Sequence, residues 1–342
     1  MKSLKDSFFR VIDYLRISVT DRCNLRCIYC MPPDGVRSFD HDDILSYEEI
    51  VRIVRIAAGL GVRKVRLTGG EPLTRKNIAS LIEGIKKIPG IEDLSMTTNG
   101  MLLEQHAAAL ADAGLNRVNI SIDSFRPDRF RELTRGGDLA AVLRGLGAAR
   151  KAGLSPIKIN MVPIREINDD EIPDFARMTM DTDCHVRFIE CMPSGPNGFW
   201  APGKYIATDE MRAIISRIAP LSPVRVRRNG PSKYYRLEGA RGVVGFISAL
   251  THHFCSDCNR LRLTADGKLR PCLFSETEID LRSTLRRGAG DSEIERLLRL
   301  AIEIKPKEHH LDAEGAGNGV DRLSGKETCL KPEKRPMSRI GG

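Results

Sequence analysis

The sequence has few aromatic residues, no long apolar run and no dominant run of Lys and Arg. Only 5% of its 342 residues are Phe, Trp or Tyr, and base-stacking platforms for nucleic acid need more rings. No stretch approaches the ~18 apolar residues of a membrane span. Charges also interrupt the N-terminal segment, where a signal peptide needs an apolar core. These absences predict a cytoplasmic protein with no membrane or nucleic-acid partner.

The charge balance is basic. The formal net charge is +9, with 41% hydrophobic and 29% charged residues, which is ordinary for a globular protein with a sizeable core. Positive charge indicates an anionic partner. A small polyanion such as a nucleotide fits this charge at least as well as a nucleic acid does.

Short β-like runs alternate with amphipathic helical stretches in the first part of the chain. Six such βα units predict an α/β fold, an incomplete (β/α)6 TIM-type barrel over residues 1–192. A C-terminal α+β region follows over residues 193–342, and we expect its segment 312–338 to be mobile. The predicted strands are residues 11–19, 62–67, 91–98, 116–122, 156–162 and 185–191.

The first cysteine set is Cys23, Cys27 and Cys30, in a C-x3-C-x2-C spacing directly after the first predicted strand. Barrel folds place their chemistry on loops at such strand ends. A four-iron cluster normally takes four cysteines, so three thiolates leave the fourth iron with an open coordination position. A zinc knuckle would need a fourth Cys or His at close spacing, and none follows soon.

The second cysteine set is Cys255, Cys258 and Cys272, in a C-x2-C-x13-C spacing. It is compatible with a second iron–sulfur cluster that also keeps an open iron. The alternative is a zinc ribbon with His252 or His253 as the fourth ligand. Of the other cysteines, we expect Cys184 and Cys191 to be buried structural residues and Cys329 to be incidental.

Basic residues lie inside several predicted strands. Barrel interiors normally hold branched apolar side chains, yet here cations flanked by apolar neighbours stand in four strands. Several buried cations need an anion, because an unpaired buried charge costs several kcal/mol. Arg prefers bidentate contacts with phosphate oxygens, so the pattern predicts a phosphorylated substrate inside the barrel. These residues are Arg16, Arg66, Lys158 and Arg187.

The cysteine loop DRCNLRCIYCMP, followed one strand later by TGGEP, resembles the radical S-adenosylmethionine superfamily. The resemblance implies that the open iron of the first cluster chelates S-adenosylmethionine. One electron then cleaves a carbon–sulfur bond and gives a 5′-deoxyadenosyl radical. The positions that this resemblance assigns to S-adenosylmethionine are Tyr29, Gly70, Ser121 and Met192.

A narrower resemblance, to the GTP 3′,8-cyclase family of molybdenum cofactor biosynthesis, runs from Tyr14 to about Leu273 and reappears in the last residues. It is most specific in FCSDCNRLRLTADGKLRPCLFS, RFIECMPSG and RPMSRIGG. This resemblance implies two four-iron clusters. It also implies that the open iron of the second cluster binds guanine. The positions implied for GTP are Arg16, Arg66, Thr97, Lys158, Arg260, Leu261 and Arg262, to which we add Arg187.

The reaction implied by this resemblance needs no catalytic side chain. The adenosyl radical takes hydrogen from ribose carbon 3′ of GTP, and the sugar radical adds to guanine carbon 8, giving (8S)-3′,8-cyclo-7,8-dihydroguanosine 5′-triphosphate. Implied partners are an external electron donor such as a flavodoxin-like protein, a downstream cyclic pyranopterin monophosphate synthase and a second copy in a homodimer. The terminal Gly341-Gly342 is implied to reach the active site.

Two other functions remain open at this point. One is a radical enzyme that modifies a peptide or protein and carries an auxiliary cluster, although such enzymes commonly have a longer cysteine-rich C-terminal region. The other is a zinc-containing nucleic-acid-binding protein, whose affinity would fall steeply with salt.

Overall fold

Eight parallel strands form the centre of the structure. The computed structural model describes residues 4–193, 199, 202–226, 230–309, 335 and 337–340. The eight strands are β1 (Tyr14–Ser18), β2 (Lys64–Thr68), β3 (Asp93–Thr98), β4 (Arg117–Ser121), β5 (Lys158–Met161), β6 (His185–Ile189), β9 (Val243–Ile247) and β10 (Arg260–Leu263). Their order across the sheet is β10-β1-β2-β3-β4-β5-β6-β9.

Antiparallel strands extend this sheet at both edges. They are β7 (Leu221–Val224), β8 (Lys233–Leu237), β11 (Lys268–Arg270) and β12 (Ile279–Asp280). In the described part of the chain the sheet has twelve strands, with β12 at one edge and β7 at the other. No hydrogen-bonded ladder joins these two edge strands among the described residues, so the barrel is incomplete.

Helices follow most of the parallel strands and cover the sheet. They are α1 (Tyr47–Leu60), α2 (Ile78–Lys86), α3 (Leu103–Asp112), α4 (Pro127–Thr134), α5 (Leu139–Lys151), α6 (Ile172–Asp181), α7 (Thr208–Ser216), α8 (Leu281–Arg286), α9 (Asp291–Glu303) and α10 (Met337–Ile340). No helix in the described ranges is both long and apolar enough to cross a bilayer.

Local sequence signals explain the bounds of α1. The Ser46 hydroxyl accepts a hydrogen bond from the Glu49 N–H at 3.1 Å, and the Glu49 carboxylate accepts from the Ser46 N–H at 2.7 Å. This capping box satisfies two otherwise free donors at the helix start. Gly61 ends the helix at φ +115°, a left-handed conformation that favours glycine.

Side chains alternate between the two faces of the strands. Leu15 and Ile17 of β1 are fully buried in the hydrophobic core with the helices, whereas Tyr14 and Arg16 line a central cavity. The period of two in side-chain direction produces this division. The sheet therefore has an apolar face toward the helices and a polar face toward the cavity.

The predicted fold class is confirmed. Five of the six predicted strands contain the observed strand, and β2 ends at Thr68, one residue beyond the predicted end at residue 67. The structure adds that β10 pairs in parallel with β1, and β9 with β6. The C-terminal region thus extends both sides of the six-stranded core within one sheet. The division of the chain at residues 192 and 193 stays a prediction.

Glu190 joins the end of β6 to the C-terminal region. Its carboxylate is 1% exposed and accepts hydrogen bonds from the backbone N–H groups of Thr208, Leu250 and Thr251 at 2.8–3.1 Å. The hydroxyls of Tyr205, Thr208 and Thr251 donate to it as well. A carboxylate with this many donors fixes the segments that carry them.

We predict that Glu190→Gln lowers the free energy of unfolding by about 2 kcal/mol or more, because an amide nitrogen would face donors that need an acceptor. Urea denaturation of the reduced protein measures this. The exposed Glu238 provides the matched control, and Glu238→Gln should change stability by less than ~0.5 kcal/mol. Equal stability of the two variants would contradict the prediction.

Candidate active site

One cavity of about 310 Å³ occupies the centre of the structure. Side chains from all eight parallel strands line it, so the sheet curves around it. All six cysteines of the two predicted sets also line this cavity. The two motifs, separated by more than 200 residues in the sequence, therefore belong to one site.

The two cysteine sets lie at opposite ends of the parallel strands. Cys23, Cys27 and Cys30 follow the carboxyl end of β1, whereas Cys255 and Cys258 come just before the amino end of β10. Tyr14 of β1 is in register with Arg260 of β10, so the two strands run side by side in the same direction. The cavity consequently extends from one cysteine set to the other.

Hydrogen-bond donors surround the sulfur of Cys23. The Leu25 N–H donates to it at 3.4 Å and the Asn99 side-chain amide at 3.8 Å. Burial raises the pKa of Cys23 to about 11 and that of Cys27 well above its usual value. Eight cysteines in the described residues are free thiols. Thiols in such a setting need a cation to stabilise the thiolate form.

Gly69 and Gly70 pack directly on the loop that leads to Cys23. The Gly70 N–H donates to the Thr20 carbonyl and the Glu71 N–H to the Arg22 carbonyl, both at 2.8 Å. A Cβ on Gly69 would lie 2.6 Å from the Thr20 oxygen, and one on Gly70 would collide with the Arg22 carbonyl. The close approach that these glycines permit is thus to the cysteine loop itself.

Glu71 fixes the neighbouring loop after β3. Its buried carboxylate accepts from the Asn99 N–H at 2.6 Å, the Thr98 hydroxyl at 2.8 Å and the Leu73 N–H at 3.0 Å. Burial raises the pKa of Glu71 to about 7 although these donors lower it. Through Asn99 this carboxylate orients a group that contacts Cys23.

The four residues assigned to S-adenosylmethionine all line the cavity. Gly70, Ser121 and Met192 stand at or just after carboxyl strand ends, on the same side as the first cysteine set. The Tyr29 hydroxyl donates to Asp123 at 2.6 Å. Burial raises the pKa of Asp123 to about 6, although the hydrogen bonds that Asp123 accepts from Tyr29 and Val162 lower it. Asp123 was not predicted, although it lies two residues after Ser121.

Two buried cations hold the loops of the second cysteine set. Arg10 donates to the Cys255 carbonyl at 2.7 Å. Lys305 donates to the carbonyls of Arg260 at 3.0 Å and Pro271 at 2.6 Å. Burial alone would raise the pKa of Cys258, but Arg260 and Lys305 lower it to about 6. Cys258 is therefore favoured as a thiolate at neutral pH, whereas burial raises the pKa of Cys255.

Basic side chains line the middle of the cavity, as predicted. Lys158 is 3% exposed, and Arg66 and Arg187 are buried as well. Lys158 donates to the Tyr234 hydroxyl at 3.3 Å, Arg187 to the Asn119 carbonyl oxygen at 2.9 Å and Arg66 to the Ser95 hydroxyl at 3.2 Å. The remaining predicted residues with side chains at this cavity are Arg16, Thr97, Arg260 and Arg262.

The cations shift one another's pKa values. Burial, then the charges of Arg187, Arg117 and Arg66, lower the pKa of Lys158 to about 6. Burial and the charge of Arg260 likewise lower the pKa of Arg262 to about 10. Such shifts mark a site where positive charge exceeds what the protein itself compensates.

Leu261 is the exception among the predicted substrate residues. Its side chain is 2% exposed and packs in the hydrophobic core on the opposite face of β10. Only its backbone can therefore reach a ligand, and its role stays a prediction. Conversely, Arg117 was not predicted from the sequence, yet it faces the cavity in a buried ion pair with Asp93.

Cys184 and Cys191, which lie between the two cysteine sets in the sequence, are buried as predicted. Cys191 also lines the cavity. Cys329, the Gly341-Gly342 terminus and most of the segment predicted to be mobile lie outside the described residues. In the described ranges, no three His, Cys, Asp or Glu side chains are arranged to hold a single metal ion.

The curved parallel sheet and the cysteine loop after β1 define a radical S-adenosylmethionine protein. The Radical SAM superfamily model matches residues 17–179, and the Molybdenum Cofactor Synthesis C model matches residues 184–311. The GTP 3′,8-cyclase of Pelotomaculum thermopropionicum is 51% identical over 341 residues, 99% of this chain and 100% of the relative. The GTP 3′,8-cyclase of Moorella thermoacetica shows the same identity and coverage. The chain belongs to the GTP 3′,8-cyclase family.

Solved structures support the fold. The crystal structure of Streptococcus suis SuiB bound to S-adenosylmethionine is similar with a TM-score of 0.56 at 15% identity, over 79% of this chain and 64% of SuiB. SuiB bound to the precursor peptide SuiA gives the same TM-score at 14% identity, over 80% of this chain and 63% of SuiB. This chain thus spans less than two thirds of SuiB. As a member of the radical S-adenosylmethionine superfamily, this chain uses S-adenosylmethionine and a four-iron cluster.

We predict that Gly70→Ala lowers the free energy of unfolding by about 2 kcal/mol and reduces iron bound after reconstitution, because a Cβ would push the Cys23 loop away. Urea denaturation and iron analysis measure the two effects. Gly147→Ala in α5 is the matched control, since nothing lies within 4 Å of its added Cβ. It should be neutral or stabilising. Normal iron binding by Gly70→Ala would refute this account.

Lys158 should make the stability of the ligand-free protein pH-dependent. Its pKa in the folded state, about 6, lies below its ordinary value of 10.5, so the unfolded state binds more protons between these values. Stability should therefore rise with pH, by up to ~1.4 kcal/mol per pH unit from this group. Urea denaturation between pH 7 and 9 should give a flatter slope for Lys158→Met. The exposed Lys151→Met should keep the wild-type slope, and an unchanged slope in both variants would contradict the prediction.

Proposed function

We propose that this chain converts GTP to (8S)-3′,8-cyclo-7,8-dihydroguanosine 5′-triphosphate with S-adenosylmethionine, as a step of molybdenum cofactor biosynthesis. The observation that carries the proposal is the buried cationic interior between two three-cysteine sets in one cavity. A nucleoside triphosphate supplies the negative charge that this interior requires. The names of the full-length relatives support the same reaction.

Cys23, Cys27 and Cys30 would hold the first cluster. When bound, this group supplies the electron that cleaves S-adenosylmethionine and so starts the radical reaction. Gly70, Ser121 and Met192, together with Tyr29, would bind S-adenosylmethionine, because they line the same end of the cavity. Asp123 would keep the Tyr29 ring in place through the hydrogen bond to its hydroxyl.

A second four-iron cluster on Cys255, Cys258 and Cys272 is part of this proposal. The motif supplies three cysteines that line the cavity and no fourth, which would leave one iron open for the guanine. The lowered pKa of Cys258 suits a thiolate ligand. Arg10 and Lys305 would keep the cysteine loops in position.

The basic residues would bind and orient the nucleotide between the two ends. Arg16, Arg66 and Arg262 would pair with phosphate oxygens, and Lys158 would take up a proton as the phosphates bind, since their charge raises its pKa. Thr97, Arg260 and the Leu261 backbone would complete the site. Holding the ribose in one orientation toward S-adenosylmethionine is the contribution expected of these residues.

The predicted partners and location belong to the same proposal. They are an external electron donor such as a flavodoxin-like protein, a downstream cyclic pyranopterin monophosphate synthase, a second copy in a homodimer and the cytoplasm. The function proposed for Gly341-Gly342, reaching into the active site, rests on family resemblance alone.

The decisive experiment is anaerobic. The protein is reconstituted with iron and sulfide, then given dithionite, S-adenosylmethionine and each nucleoside triphosphate in turn. We expect 5′-deoxyadenosine and a cyclised isomer of the nucleotide with GTP alone, identified by chromatography and mass spectrometry. Arg262→Ala should lose at least ~10-fold in cyclised product, whereas Arg299→Ala, exposed on α9, should not. Equal formation of 5′-deoxyadenosine without any nucleotide would favour a peptide substrate instead.

A further inference from the structure

Tyr14 occupies a central place that neither the motifs nor the assigned site residues explain. It is the first residue of β1 and shares a strand face with Arg16. Its side chain is 5% exposed and lines the cavity. The residues in register with it on the neighbouring strands are Lys64 and Arg260.

The Tyr14 hydroxyl makes no hydrogen bond within the described part of the chain, although it is buried. Buried polar groups are nearly always paired, because leaving one unpaired costs the desolvation of that group. A phenol at a cavity wall with no protein partner therefore points to a partner that arrives with a ligand.

The surroundings of this hydroxyl are rich in donors. The Arg66 guanidinium lies 5.5 Å from the centre of the Tyr14 ring, and Arg16 and Arg262 are close enough to interact electrostatically with the phenol. The Nε atoms of Arg117 and Arg187, both at this cavity, also have no acceptor among the described residues. The cavity thus holds buried donors that lack an acceptor among the described residues.

We propose that the Tyr14 hydroxyl donates a hydrogen bond to a phosphate oxygen of the bound nucleotide. The inference rests on the proposed function, because it takes GTP as the ligand. A phosphate group accepts several hydrogen bonds and balances the three arginines that interact with Tyr14. A neutral guanine in the same position would leave these charges uncompensated.

Tyr14→Phe removes one oxygen and keeps the ring beneath Arg66. We expect GTP to bind the reconstituted protein about 10-fold more weakly or worse, from the loss of a hydrogen bond to a charged group. Guanosine affinity should change by less than about twofold, since it has no phosphate. The urea midpoint of the ligand-free variant should rise or stay equal, because the removed hydroxyl has no partner among the described residues.

Anaerobic calorimetry without S-adenosylmethionine, using GTP and guanosine as the two ligands, measures these affinities. Tyr47→Phe is the matched control, because the Tyr47 hydroxyl lies at the surface and bonds the Lys76 carbonyl. Unchanged GTP affinity of Tyr14→Phe would overturn the inference, and so would equal weakening of GTP and guanosine or a lower urea midpoint. If the wild-type protein fails to bind GTP, the proposed function itself fails.

Discussion

Burying several cations on the cavity face of a parallel sheet costs free energy, because each guanidinium or ammonium loses its contact with water. The carboxylates at the cavity are already engaged. Asp93 pairs with Arg117, Asp123 accepts from Tyr29 and Val162, and Glu190 holds the C-terminal segments. Binding of an anionic ligand therefore also stabilises the folded protein, because the ligand compensates positive charge that the folded chain leaves unbalanced.

The direction of the strands separates the chemistry at the two ends of the cavity. Loops after the carboxyl strand ends carry the first cysteine set with Gly70 and Met192. In the second set, Cys255 and Cys258 precede β10, and Cys272 follows β11, which runs antiparallel to β10. The second set thus lies at the amino ends, which barrel enzymes usually leave to stability. A substrate between the two sets can contact both. This explains why the cations lie within the strands rather than on the loops: they face the space between the ends.

Sequence periodicity was sufficient for the six-stranded core of the fold and for the four cations within its strands. Alternation alone placed Arg16, Arg66, Lys158 and Arg187 on one strand face, because side-chain direction has a period of two. The same rule would have placed Tyr14 beside Arg16. The pairing of β1 with β10 was not predictable in this way, since it joins residues about 245 positions apart. Local patterns carry no information about such contacts.

The packing of the cysteine loops also lies beyond what spacing can predict. The family resemblance assigned Gly70 to S-adenosylmethionine, but it did not show that a Cβ on Gly69 or Gly70 would strike the backbone of Thr20 or Arg22. At the end of the cavity with the second cysteine set, Arg10 donates to the Cys255 carbonyl and Lys305 donates to the Pro271 carbonyl. Arg10 and Lys305 are far apart in the sequence. Loop carbonyls outside regular structure need such partners when buried. Both loops are thus ordered by contacts of their backbone with the rest of the chain, and the cysteines of both sets line the cavity.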